Sequence, residues 1–260
     1  MERELSQLAA LRLKPRSGIA SKTNFASILA VPEMRPTTGS GRPHNPDVRR
    51  LVSAKRLWSP VNREDAKRGF CGWNERGYLP HRDTPGLTQF VTFRLADSFP
   101  NSLRSEWEGK LLIEDDSVRR RQLEAYLDRG RGDCLLRRSD IASLVEQALR
   151  FYHPHVYELQ AWVIMPNHLH FLIKVGRVPL AKIVKNLKRY TTHEANRTLE
   201  QKGPFWCKDY FDTYMRDAKH ELQARRYIEN NPTKANLVLD PKSWRWSSAR
   251  FRDNLGILHL

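Results

Sequence analysis

Ala161-Trp162-Val163-Ile164-Met165-Pro166-Asn167-His168-Leu169-His170-Phe171-Leu172-Ile173-Lys174-Val175 holds two apolar runs on either side of a Pro-Asn pair. Pro and Asn are turn residues, so the runs read as two strands, Tyr157 to Met165 and His168 to Val175, joined in a hairpin. Side chains alternate along a strand. Leu169, Phe171, Ile173 and Val175 therefore form one unbroken apolar face. His168 and His170 share the other face with Leu172 and Lys174. Two neutral imidazoles on one face can form half of a divalent-metal site and leave positions for a third protein ligand and substrate oxygens. Taken alone, a hydrogen-bonded histidine pair at a strand edge accounts for the same spacing.

Working outward, the segment from Leu87 to Leu95 reads as a strand, and Ser102 to Leu112 and Ser117 to Asp128 read as helices. Ser139-Asp140 offers a cap for a helix to Phe151 or Tyr152. Pro179 opens another, with Leu180, Ile183, Val184 and Leu187 facing the core. Phe205 to Met215 is an aromatic-rich strand. A helix follows from Asp217 to Asn231, where Pro232 is expected to stop it. Trp244-Arg245-Trp246-Ser247-Ser248 reads as a cap or docking segment. The order strand, helix, strand, strand, helix, strand predicts an α+β chain with a ferredoxin-like split βαβ core and a single antiparallel sheet.

Three units are expected. Residues 1–80 read as a basic, largely flexible arm, since Pro36 to Pro43 has breakers and nothing apolar to bury. Residues 81–250 read as one catalytic domain with a helical insertion at about 98–138, and 251–260 as a tail.

The 260 residues carry 45 Lys and Arg against 29 Asp and Glu, a formal charge of +16. That surplus favours a polyanionic partner bound through salt-dependent phosphate contacts. Lys182, Lys185, Lys188 and Arg189 line one side of the Pro179 helix and are the best local phosphate-binding stripe, although a merely solvated face fits them equally. Cys71, Cys134 and Cys207 stand far apart without a Cys-x-x-Cys pair, so neither a zinc cluster nor a disulfide framework is expected, and a reducing cytoplasm fits. No run approaches ~18 apolar residues, and the N-terminus lacks a signal-type apolar core, so no membrane partner is expected.

Tyr227-Ile228-Glu229-Asn230-Asn231-Pro232 holds the second candidate. Tyr227 and Asn231 stand at i and i+4 and project together from a helix. An Asn oxygen can ligate a hard cation. A packed aromatic and a helix C-cap are the plain alternatives. Tyr210 and Tyr214 read as core or base-stacking groups, and His153 and His155 as structural.

Met165-Pro166-Asn167-His168-Leu169-His170-Phe171, Gly203-Pro204-Phe205-Trp206, Tyr210-Phe211-Asp212, Arg216-Asp217 and Tyr227-Ile228-x-x-Asn231-Pro232-x-Lys234-Ala235, in that order, resemble the single-tyrosine insertion-sequence transposases. Within these the chain is most similar to the REP-associated tyrosine transposases. The likeness covers roughly residues 75 to 250. It implies that His168 and His170 are metal ligands, Asn231 completes the site, and Tyr227 is the nucleophile. It further implies Mg²⁺ or Mn²⁺ as cofactor, single-stranded or hairpin-forming repeat DNA as partner, and a monomer or homodimer. The expected reaction is nicking and rejoining of one DNA strand through a 5′-phosphotyrosine, with no ATP site or Gly-rich phosphate loop. A non-catalytic nucleic-acid binder with a ferredoxin-like sheet is the competing class, although its open face would favour aromatics over His168 and His170. A hydrolytic metal phosphodiesterase is the third.

Overall fold

The computed structural model describes residues 61–76, 79–98 and 124–260. The arm up to residue 60, the helix expected at Ser102 to Leu112, and most of that at Ser117 to Asp128 lie outside the described residues; 124–127 is helical. Regular structure starts ahead of Pro85-Gly86. A short helix α1 (Arg63–Arg68), capped by the Asn62 side chain, precedes a two-stranded hairpin of β1 (Gly72–Arg76) and β2 (Leu79–Asp83).

Four further strands form one antiparallel sheet: β3 (Thr88–Arg94), β4 (Tyr157–Ile164), β5 (His168–Val175) and β6 (Phe211–Tyr214), in the order β4-β5-β3-β6. β5 lies antiparallel between β3 and β4, so β3 and β4 run parallel with a strand inserted between them. This is the split βαβ arrangement. Helices α2 (Ser139–Phe151) and α3 (Leu180–Thr198) make the two crossovers. The aromatic-rich stretch pairs as a strand only over its last part, with an isolated bridge from Leu95 to Trp206 ahead of it.

The alternation of β5 sorts the interior into two layers. Leu169, Phe171, Ile173 and Val175 pack with Val91, Phe93, Trp162, Ile164 and the apolar faces of α2 and α3. On the opposite face, Leu172 packs with Phe90, Val163, Met165, Ala224 and Ile228. The last two belong to α4 (Ala218–Lys234), which Asp217 caps by accepting from the His220 N–H. α4 thus covers the histidine face, and α2 and α3 lie across the sheet from it.

Pro232 does not stop α4. Pro232 stands in the last turn, where its missing N–H and its bulk cost the helix little, and the carbonyls of Asn231 and Pro232 still accept from Ala235 and Leu237 at 2.9 Å each. The helix gains a further turn and carries Lys234 toward the site. The Trp244–Arg252 segment closes the free edge of β4. Ile164 N donates to Trp246 O at 2.9 Å, Trp162 N to Ser248 Oγ at 3.1 Å, and Trp244 Nε1 to Ile164 O at 3.0 Å. Covering an edge strand removes a template for unwanted pairing.

Candidate active site

His168 and His170 are both buried, with ring centroids 4.7 Å apart. Their Nδ1 atoms are spoken for. His170 sits opposite Thr92 across the β3–β5 ladder, and its Nδ1 shares a hydrogen bond with Thr92 Oγ1 at 2.7 Å. His168 Nδ1 meets Asn167 Oδ1 at 2.8 Å. Asn167 is itself fixed, since its Nδ2 donates to Arg131 O and its carbonyl accepts from Leu95 N. These contacts set the ring orientations and leave both Nε2 atoms buried without a hydrogen-bond partner. Phe90 stacks on His170 at 5.5 Å and 28°.

α4 supplies the facing groups. The Tyr227 ring lies 5.8 Å from that of His170. Ala235, two turns further along the same helical face, lines a cleft with His168. Asn231 stands midway between them on that helical face. It is fully buried, and its carboxamide lies within reach of the Tyr227 hydroxyl and makes no other hydrogen bond among the described residues. An unpaired buried polar group costs on the order of 1–3 kcal/mol, and the two Nε2 atoms, on rings 4.7 Å apart, are both of this kind.

That donor set fits a divalent cation: two unpaired imidazole nitrogens and one carboxamide oxygen. Burial, and then the charge of Lys234, holds the His168 imidazole down to about 3. Burial, then His168 and Lys234, holds His170 well below its usual value. Both rings are therefore neutral and ready to ligate at physiological pH. Among the described residues, no group of three or more His, Cys, Asp and Glu side chains forms a competing metal cluster.

Tyr227 has a second neighbour that the sequence reading does not include. Its hydroxyl donates to Glu124 Oε2 at 2.6 Å. One turn on, Asp128 pairs with Lys234 Nζ at 3.0 Å, and Lys234 lies 5.3 Å from the centre of the Tyr227 ring. Burial above all, and then the Glu124 carboxylate, holds the phenol well above its ordinary range. Beside His168, a cleft of about 200 Å³ is lined by Asp128, Arg129, Arg137 and Pro166, with both arginines exposed.

The lysine stripe is not brought to this site. α3 packs on the opposite face of the sheet. Lys182, Lys185 and Arg189 are exposed there. Lys188 turns inward: its Nζ donates to the carbonyls of Cys207, Lys208 and Asp209 at 3.0, 3.3 and 3.0 Å and lies over the rings of Phe93 and Tyr210. Burial pushes its ammonium down to about 8. Tyr214 meets Trp73 edge-on, and His153 accepts from Leu159 N.

Residues 136–231 match the family model "Transposase IS200 like". An uncharacterized protein of Haemophilus influenzae is 29% identical over 120 residues, covering 36% of this chain. The match spans 66% of that relative's length, just under two thirds. A solved structure of a REP-associated tyrosine transposase bound to a REP hairpin is similar at 17% identity and a TM-score of 0.42, covering 70% of this chain and 85% of its own. No described helix is long and apolar enough to cross a membrane.

Proposed function

Because residues 136–231 match the model of the IS200-like transposases, we propose that this protein nicks and rejoins single-stranded, hairpin-forming repeat DNA through a 5′-phosphotyrosine on Tyr227. The observation that carries this reading is the Tyr227 ring lying against His170, one of two adjacent neutral imidazoles whose Nε2 atoms are buried without a hydrogen-bond partner.

His168, His170 and Asn231 would hold Mg²⁺ or Mn²⁺. Bound there, the ion supplies charge neutralisation at the scissile phosphate. Thr92 and Asn167 orient the rings by engaging each Nδ1, which leaves each Nε2 as the atom that would ligate. Arg129 and Arg137 at the cleft mouth suit the flanking phosphates better than the α3 stripe, which lies across the sheet.

In the chemical step the Tyr227 oxygen attacks phosphorus and displaces a 3′-hydroxyl. The phosphotyrosine keeps the energy of the phosphodiester, so an incoming 3′-hydroxyl can reverse the step and join strands without ATP. One nucleophilic tyrosine per chain matches the cutting of one strand.

The test is incubation of the full chain with an end-labelled single-stranded oligonucleotide carrying an inverted repeat, in Mn²⁺. A denaturant-resistant protein–DNA band is expected, absent with Tyr227→Phe and in chelator. Cleavage leaving a free phosphate end and no linked protein would instead identify a hydrolytic phosphodiesterase. Binding that survives chelation without cleavage of any strand would identify a non-catalytic module.

A further inference from the structure

The two carboxylates on the 124–128 segment stand at i and i+4 and grip one face of α4, at Tyr227 and Lys234. That face also carries Asn231. Glu124 is buried, 8% exposed, and lies 103 residues before Tyr227 in the chain. It falls outside the segment that matches the transposase family. A buried carboxylate accepting the nucleophile's own proton at 2.6 Å has the geometry of a general base.

We propose that Glu124 is the catalytic proton acceptor for Tyr227, supplied by the insertion before β4. The assignment rests on the reading of Tyr227 as the nucleophile. As Tyr227 Oη bonds to phosphorus, its proton passes to Glu124 Oε2. The P–O3′ bond breaks, and the departing 3′-oxygen takes a proton from solvent water. In the joining direction the attacking 3′-hydroxyl releases its proton to solvent. The Glu124 carboxylic acid then returns a proton to the departing Tyr227 oxygen. One group thus serves as base and acid in the two directions, which suits an enzyme that cuts and reseals. A phenol alone is a poor nucleophile near neutrality, with an ordinary pKa of ~10. Transfer of its proton during bond formation avoids a free phenolate beside two carboxylates.

The test follows covalent-adduct formation in single turnovers with full-length protein, Mn²⁺ and the labelled oligonucleotide. Glu124→Gln keeps size and hydrogen bonding and cannot take the proton. It is expected to slow adduct formation by about 100-fold or more, with oligonucleotide affinity and melting temperature as in wild type. Glu124→Ala is expected to regain rate in proportion to added acetate, a response that a merely structural carboxylate does not give. Glu124→Asp, expected to retain intermediate activity, keeps the question answerable if the other two fold poorly. Wild-type rates in Glu124→Gln, or slow Glu124→Ala cleavage unmoved by acetate, would overturn the assignment while leaving Tyr227 in place. A wild-type chain that forms no adduct, or a Tyr227→Phe chain that does, would overturn the underlying reading and this assignment with it.

Discussion

His170 shows how one side chain is aimed. The β3–β5 register places Thr92 directly across from it, Phe90 stacks on its ring, and the Tyr227 ring lies beside it. With Nδ1 taken by Thr92, only Nε2 is left to ligate. Mn²⁺ is therefore expected to raise the melting temperature of the wild-type chain, by about 2.7 kcal/mol of stability at a hundredfold excess over Kd. His170→Ala or His168→Ala should abolish that shift in thermal melts. Thr92→Val should weaken it, since loss of an orienting partner costs about 10- to 100-fold in metal affinity. The metal-free protein should also be acid-sensitive. The imidazoles of His168 and His220 sit at about 3 and about 4 when folded, both held down by burial above all, against 6.5 ordinarily. Below 6.5 the unfolded chain binds more protons, so stability is whole above that value and is lost as pH falls toward the folded values. Melts across that window read it directly.

The histidine face and the Tyr227–Asn231 stripe were legible because each rests on a local period, two for a strand and about four for a helix. Thr92 and Glu124 were not. They reach the site from 78 and 103 residues away, and nothing in a local pattern announces such a partner.

At the scale of elements, the α3 stripe teaches the opposite lesson. Spacing identifies a helix face and says nothing about where a four-carbon stem ends. Lys188 leaves the stripe and staples the 207–209 loop, while Lys182 stays exposed. Lys188→Met should lower stability by about 1–3 kcal/mol through three abandoned carbonyls, and Lys182→Met should stay within about 0.5 kcal/mol; chemical denaturation separates them. α4 is anchored from outside as well. Glu229 accepts from Ser248 Oγ and Arg252 Nε, and Arg252 also reaches Gln160 O on the edge of β4. The Trp-x-Trp-Ser-Ser segment was recognisable as a docking piece, but its role as edge cover depends on the sheet order, which pairs β4 on one side only.

For the whole molecule, the site is assembled within one chain: Tyr227 of α4 lies against His170 of the same sheet. A mixture of His170→Ala and Tyr227→Phe chains is therefore expected to stay inactive, whereas an exchanged helix between two protomers would restore cleavage. The layer order was partly legible, since strand and helix order implied the split βαβ core. The placement of α4 on the histidine face emerges only from packing, through Ala224 and Ile228.

The account stands on Tyr227 becoming bonded to DNA, and peptide mass spectrometry of the reacted full chain tests this most directly. After incubation with the single-stranded repeat and Mn²⁺, followed by nuclease and trypsin, the peptide Tyr227–Lys234 is predicted to carry the nucleotide through a 5′-phosphate on the tyrosine. An unmodified Tyr227 peptide beside cleaved DNA, or an adduct on any other tyrosine, would contradict it.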